Sequence, residues 1–77
     1  MATRRVNGAA IRAIREALGL SQRELAARAG VRNTQISNVE AGVNGMSPAV
    51  ARRVADELGV PLAAITNPVP EPETATA

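Results

Sequence analysis

Residues 20–42, LSQRELAARAGVRNTQISNVEAG, read as two short helices joined by a glycine turn. Ser21 stands just ahead of an apolar-periodic run and Glu24 follows three positions later, the spacing of a capping box in which hydroxyl and carboxylate satisfy two orphan amides. Leu25, Ala26 and Ala29 fall on one face of the helix that starts there, and Gly30 stands where a left-handed residue ends a helix cheaply. After Val31 the polar run Arg32-Asn33-Thr34-Gln35 leads into Ile36, Ser37, Asn38, Val39 and Glu40, with Gly42 closing a second helix.

At about 100° per residue, Ile36 and Val39 share one face of that second helix with Glu40 at its edge. Thr34, Ser37, Asn38 and Ala41 share the opposite face. Its side chains are small or amide-bearing: Asn bonds adenine bidentately, and Ser or Thr contacts several bases. No carboxylate lies there to repel phosphate. The alternative is an ordinary amphipathic helix with a solvated polar face.

The context resembles the phage-repressor-like helix-turn-helix proteins of the Cro or Xre type. The matching residues are Leu20-Ser21-Gln22, Glu24-Leu25-Ala26, Ala29-Gly30-Val31, Ile36-Ser37, Val39-Glu40 and Gly42. Similarity reaches back through Ile11-Arg12-Ala13-Ile14-Arg15-Glu16-Ala17-Leu18-Gly19 and forward to Leu58-Gly59-Val60-Pro61-Leu62, so it covers residues 7–66. The resemblance implies an all-α, five-helix lambda-repressor-like domain over residues 7–66, preceded by an arm at 1–6 and followed by a disordered proline-rich tail at 67–77. It also implies a sequence-specific regulator of transcription, more often a repressor, such as a phage Cro-like protein or a restriction-system controller.

Composition points the same way. A chain of 77 residues allows one domain with a marginal core. With no Cys and no His, disulfides, zinc-finger sites and Ser-His or Cys-His catalysis are missing from the inventory, and no cofactor is expected. The nearest carboxylates, Asp56 and Glu57, are adjacent on a helix and diverge, so an enzyme is a poor fit. Without aromatic residues, single-strand stacking platforms have no material, which favours double-stranded DNA. All nine basic residues are Arg, and residues 1–67 carry +4 against −2 for residues 68–77. No apolar run is long enough to span a membrane and no signal peptide is evident, so a cytoplasmic location is expected.

In chain order, Met1–Val6 reads as a frayed basic arm whose Arg4 and Arg5 either touch DNA or are merely solvated. Asn7 can cap a helix in which Ala10, Ile11, Ile14, Ala17 and Leu18 form an apolar stripe, ended by Gly19. Arg12 and Arg15 flank that stripe. By resemblance, Arg15 pairs with Glu40, clamping the first helix to the recognition helix; a partly buried carboxylate needs such a partner. Arg12 looks like a phosphate contact. Gln22 follows the Ser21 cap, where free N–H groups and the helix dipole attract an anion, and family members use this Gln to grip a phosphate.

Arg32 departs from the family pattern, which has Ser, Thr or Asp capping the recognition helix. Either the helix starts one residue later with Asn33 as cap, or Arg32 gives up capping for a contact; at the groove edge Arg can bond phosphate or guanine, and phosphate is the expected partner. Asn33, Thr34, Ser37 and Asn38 are the expected base readers, and Asn44, in the Asn-Gly turn after Gly42, is a candidate for phosphate. Ser47-Pro48 starts a scaffold helix with Val50, Ala51, Val54, Ala55 and Leu58 apolar, and Pro61 opens a last short one. Resemblance alone suggests a homodimer on the operator. The rival reading is an antitoxin or protein-interaction module that uses the same fold.

Overall fold

The computed structural model describes residues 4–68. In chain order it contains strand β1 (Arg4–Val6), helices α1 (Gly8–Ala17), α2 (Gln22–Ala29), α3 (Asn33–Glu40) and α4 (Pro48–Leu58), a 3-10 helix (Leu62–Ile65) and strand β2 (Thr66–Pro68). The fold is mostly helical with the expected helix-turn-helix, but the expected fifth α-helix is a single 3-10 turn. Pro61 sets its start and extended backbone at Thr66 ends it, so four residues are all the room there is.

Local chemistry sets the helix starts. The Asn7 side chain accepts from the Ala10 amide at 3.1 Å, and Ser47 accepts from the Val50 amide at 3.2 Å, with Pro48 in the first turn. At α2 both halves of the capping box form: the Glu24 amide donates to Ser21 Oγ at 3.0 Å, and the Ser21 amide donates to the Glu24 carboxylate at 2.9 Å. Gly30 turns the chain from α2 toward α3 at φ 71°, a conformation that any side chain would strain.

Ile11, Leu25, Ile36, Val54 and Ile65 are wholly buried, and with Val39, Ala55 and Leu58 they make one core fed by all four helices and the 3-10 turn. Leu18, expected in the α1 stripe, is 53% exposed. It falls just past the last residue of α1, where the chain turns toward α2 and no longer follows the helix face.

The chain start differs most from expectation. Arg4–Val6 is not a frayed arm but pairs antiparallel with Thr66–Pro68, Arg5 opposite Asn67 and Val6 opposite Thr66. Asn67, expected to open a disordered tail, therefore belongs to the ribbon; residues 69–77 of that expected tail and 1–3 of the arm lie outside the described residues. The Asn7 amide continues the ladder by donating to the Ile65 carbonyl at 2.7 Å. Hydrogen-bonded pairs alternate in an antiparallel ladder, so Arg5–Asn67 is a bonded pair and Pro68, which has no N–H to give, occupies a non-bonded position. Among the described residues no helix is long and apolar enough to cross a membrane.

Candidate nucleic-acid interface

Helix α3 begins without a side-chain cap. Arg32 is its N-cap residue, in extended backbone, and makes no capping hydrogen bond. Of the two starts the sequence left open, the structure therefore has the helix beginning at Asn33, with the Arg32 side chain left exposed. The other end is closed by two bonds, from the Gly42 amide to the Val39 carbonyl at 3.1 Å and from the Val43 amide to the Asn38 carbonyl at 2.9 Å.

Between these ends the helix has two faces. Ile36 and Val39 are buried against the core. Asn33, Thr34, Asn38 and Ala41 are exposed and Ser37 is half-buried, so all four expected base readers lie on or beside one outward arc. Among the hydrogen bonds of the described residues none uses a side-chain atom of Asn33, Thr34, Ser37 or Asn38. Their polar groups are left to whatever meets this face.

Glu40 occupies the seam behind that arc. Arg15 Nε donates to its Oε2 at 2.7 Å and Arg15 Nη2 donates to its Oε1 at 3.0 Å, a two-pronged pair whose side chains are only 10% and 3% exposed. Arg15 Nη1 also donates to the Leu20 carbonyl at 2.7 Å, so one guanidinium joins α1, the start of α2 and the end of α3. Burial pushes the Glu40 carboxyl up, but hydrogen bonds from Arg15 and Gln22 and the charges of Arg15 and Arg12 outweigh it and hold the group below its usual value. Arg15 is raised, chiefly by its hydrogen bond to Glu40.

Gln22 is where the structure adds to the sequence. Its Nε2 donates to Glu40 Oε1 at 3.1 Å, so the residue expected at a phosphate is also the third member of the clamp. A carboxamide nitrogen carries two donors, and one remains for another acceptor. No sequence signal marked this contact, since it depends on how α2 and α3 cross.

The other phosphate candidates are exposed. Arg12 Nε pairs with Glu16 at 3.3 Å one helical turn on, both side chains more than half exposed. Pairs of that kind contribute roughly 0–1 kcal/mol and are readily exchanged for a phosphate. The Asn44 side chain is exposed on the loop after α3, but its backbone amide donates to the Asn38 carbonyl at 3.4 Å. Its outward group is therefore the carboxamide. Arg5 is exposed on β1, held by the ribbon.

One close approach escaped the sequence reading. Gly8 opens α1 against the end of α3 so tightly that a Cβ there would run into the Val39 carbonyl oxygen. The clamp and this glycine together fix the first helix against the third.

Residues 11–65 match the helix-turn-helix family HTH_3. No curated protein matches the chain. Solved structures do. The clp gene regulator ClgR from Corynebacterium glutamicum is 34% identical, with a TM-score of 0.71 over 73% of this chain, which spans 60% of the length of that one. The restriction-modification controller protein C.AhdI from Aeromonas hydrophila is 30% identical at a TM-score of 0.72, covering 74% of this chain and 86% of its own. SinR, a master regulator of biofilm formation whose structure was solved in complex with DNA, is 30% identical at a TM-score of 0.69, covering 71% of this chain and 89% of its own.

Proposed function

Because the chain belongs to the helix-turn-helix family that its residues 11–65 match, we propose that it is a sequence-specific, double-stranded DNA-binding regulator of transcription, acting as a repressor in the cytoplasm and not as an enzyme. The observation that carries this reading is the outward arc of α3, with Asn33, Thr34 and Asn38 exposed, Ser37 half-buried beside them, and no side-chain hydrogen bond of the four among the described residues.

In this mechanism α3 enters the major groove. Asn33, Thr34, Ser37 and Asn38 meet base edges, while Arg12, Gln22, Arg32 and Asn44 hold phosphates and set the register. Arg15 and Glu40 keep α3 at a fixed angle to α1, and the Gln22 bond to Glu40 orients a phosphate-gripping amide from the same carboxylate that anchors the reading helix. Two copies on a two-fold operator would place half-sites about one helical turn apart, near 10–10.5 bp.

The test is binding of the purified protein to the DNA upstream of its own gene and to a scrambled duplex of equal length, across a salt series. Tight binding to the upstream DNA alone, with a negative salt slope on both, is the expected result. Equal, weak and strongly salt-dependent binding to both would oppose an operator at that position. Equal binding to every duplex in a randomised pool would overturn the reading altogether.

A further inference from the structure

We propose that the half-site under α3 is built of A·T pairs and is read directly, by carboxamides on adenine and methyl groups on thymine. The inference rests on the DNA-reading assignment above and concerns what that face can recognise.

Taking Asn33 as zero and about 100° per residue, the outward arc holds Asn33, Ser37, Ala41, Thr34 and Asn38 in that angular order, within about 140°. Two Asn carboxamides flank the arc, both exposed and making no hydrogen bond among the described residues. Each offers the donor and acceptor that match adenine N7 and N6 in the major groove. At the centre lie Thr34 and Ala41, exposed side chains with methyl groups suited to the thymine C5 methyl. Ser37, between Asn33 and Ala41, is compatible with any pair.

What the arc lacks is as informative. Guanine is most often read by Arg or Lys and cytosine by Asp or Glu. The only ionised residue of α3 is Glu40, and its carboxylate is turned inward, 3% exposed and held by Arg15 and Gln22. Arg32 precedes the helix, outside the arc, and is assigned to phosphate. The face thus has dedicated partners for adenine and thymine and no charged side chain of the kind that reads guanine or cytosine.

Selection of the full chain against a pool of randomised duplexes reads this out, followed by binding titrations on the enriched sequence. The expected motif has A·T pairs through the part of each half-site that α3 faces. Replacing its thymines by uracil should weaken binding several-fold, because only the methyl is lost. Asn38→Ala should remove preference for adenine at one position, a loss of about 5- to 150-fold for the preferred duplex with little change for its mismatched form. Arg32→Ala should weaken all duplexes alike. An enriched half-site with G·C pairs under α3 would overturn the inference while leaving the DNA-reading assignment intact. So would an A·T-rich motif indifferent to both uracil and Asn38→Ala, since the preference would then come from duplex shape. Failure to enrich any motif would remove the DNA-reading assignment itself, and the inference with it.

Discussion

Glu40 gathers three donors on one carboxylate, two from Arg15 and one from Gln22. Taking one member away leaves the other uncompensated, a larger cost than the pair contributes. Glu40→Ala should destabilise the fold by about 3–5 kcal/mol, a large part of the stability of a small domain, read as a fall in the urea midpoint at pH 7. A midpoint shift of only a few tenths of a molar would mean that the clamp is dispensable. Acid sensitivity follows from the same group. Because folding lowers the Glu40 pKa, its contribution is present above the unfolded value, about 4.3, and is lost as pH falls through the lower native value. Glu24 is lowered too, by hydrogen bonds from the Ser21 backbone and side chain, and adds in the same direction. Stability should therefore drop below about pH 4–5 in the wild type, and the slope of that drop should flatten in Glu40→Gln. Parallel slopes in the two proteins would place the acid transition elsewhere. The Arg15–Glu40 pairing was legible because the family pattern carries it and because a carboxylate beside a packed face needs a cation. Gln22 as its third member was not, since no local rule says which side chain of α2 meets the end of α3.

Whole elements were legible wherever the signal was local. The caps at Asn7, Ser21 and Ser47 each depend on a partner three residues on, a spacing visible in the sequence. The start of α3 was not settled, because Arg32 offers no capping oxygen and Asn33 was an equally good candidate. The structure has Arg32 at the N-cap with nothing satisfying the first amides from its side chain. Arg32→Ser should then stabilise the domain by about 1 kcal/mol in a thermal melt while weakening DNA binding uniformly across sequences and lowering the salt slope by about 1. A loss of preference at one base position would instead make Arg32 a base reader. The role of Gly8 is not legible in the sequence, because a glycine at a helix start has many uses and the neighbour that decides this one lies on another helix. Gly8→Ala drives a methyl into the Val39 carbonyl, and overpacking of this sort costs about 1–3 kcal/mol. Since the obstacle is backbone, it cannot rotate away. α1 or the end of α3 has to move, so affinity for the operator should fall along with the melting temperature. Unchanged melting would show that the two helices separate freely.

At the scale of the molecule, the ribbon of β1 and β2 ties the start of the chain to the end of its last helical turn. It was invisible in the sequence: two runs of three residues, one of them rich in Arg and the other ending in Pro, carry no alternating pattern, and they pair across the length of the domain. Its packing is nonetheless continuous with the core. Ile65 is wholly buried, Thr66 is 5% exposed and donates its hydroxyl to the Leu62 carbonyl, and Val6 packs against the cluster. The ladder makes a position-specific prediction. Arg5 stands in the hydrogen-bonded pair with Asn67, so Arg5→Pro deletes an inward N–H, whereas at Arg4, opposite Pro68, the N–H faces away from the partner strand. A lost ladder bond costs roughly 0.5–1.5 kcal/mol, and each kcal/mol moves the melting point of so small a domain by about 4–8 °C. Arg5→Pro should lower Tm by several degrees and Arg4→Pro by much less. Both should keep the base preference of the wild type, because α3 and its clamp share no hydrogen bond with the ribbon among the described residues. Equal shifts for the two variants would mean that the terminal pairing contributes nothing to stability, and that Val6 and Ile65 hold the chain start by apolar contact alone.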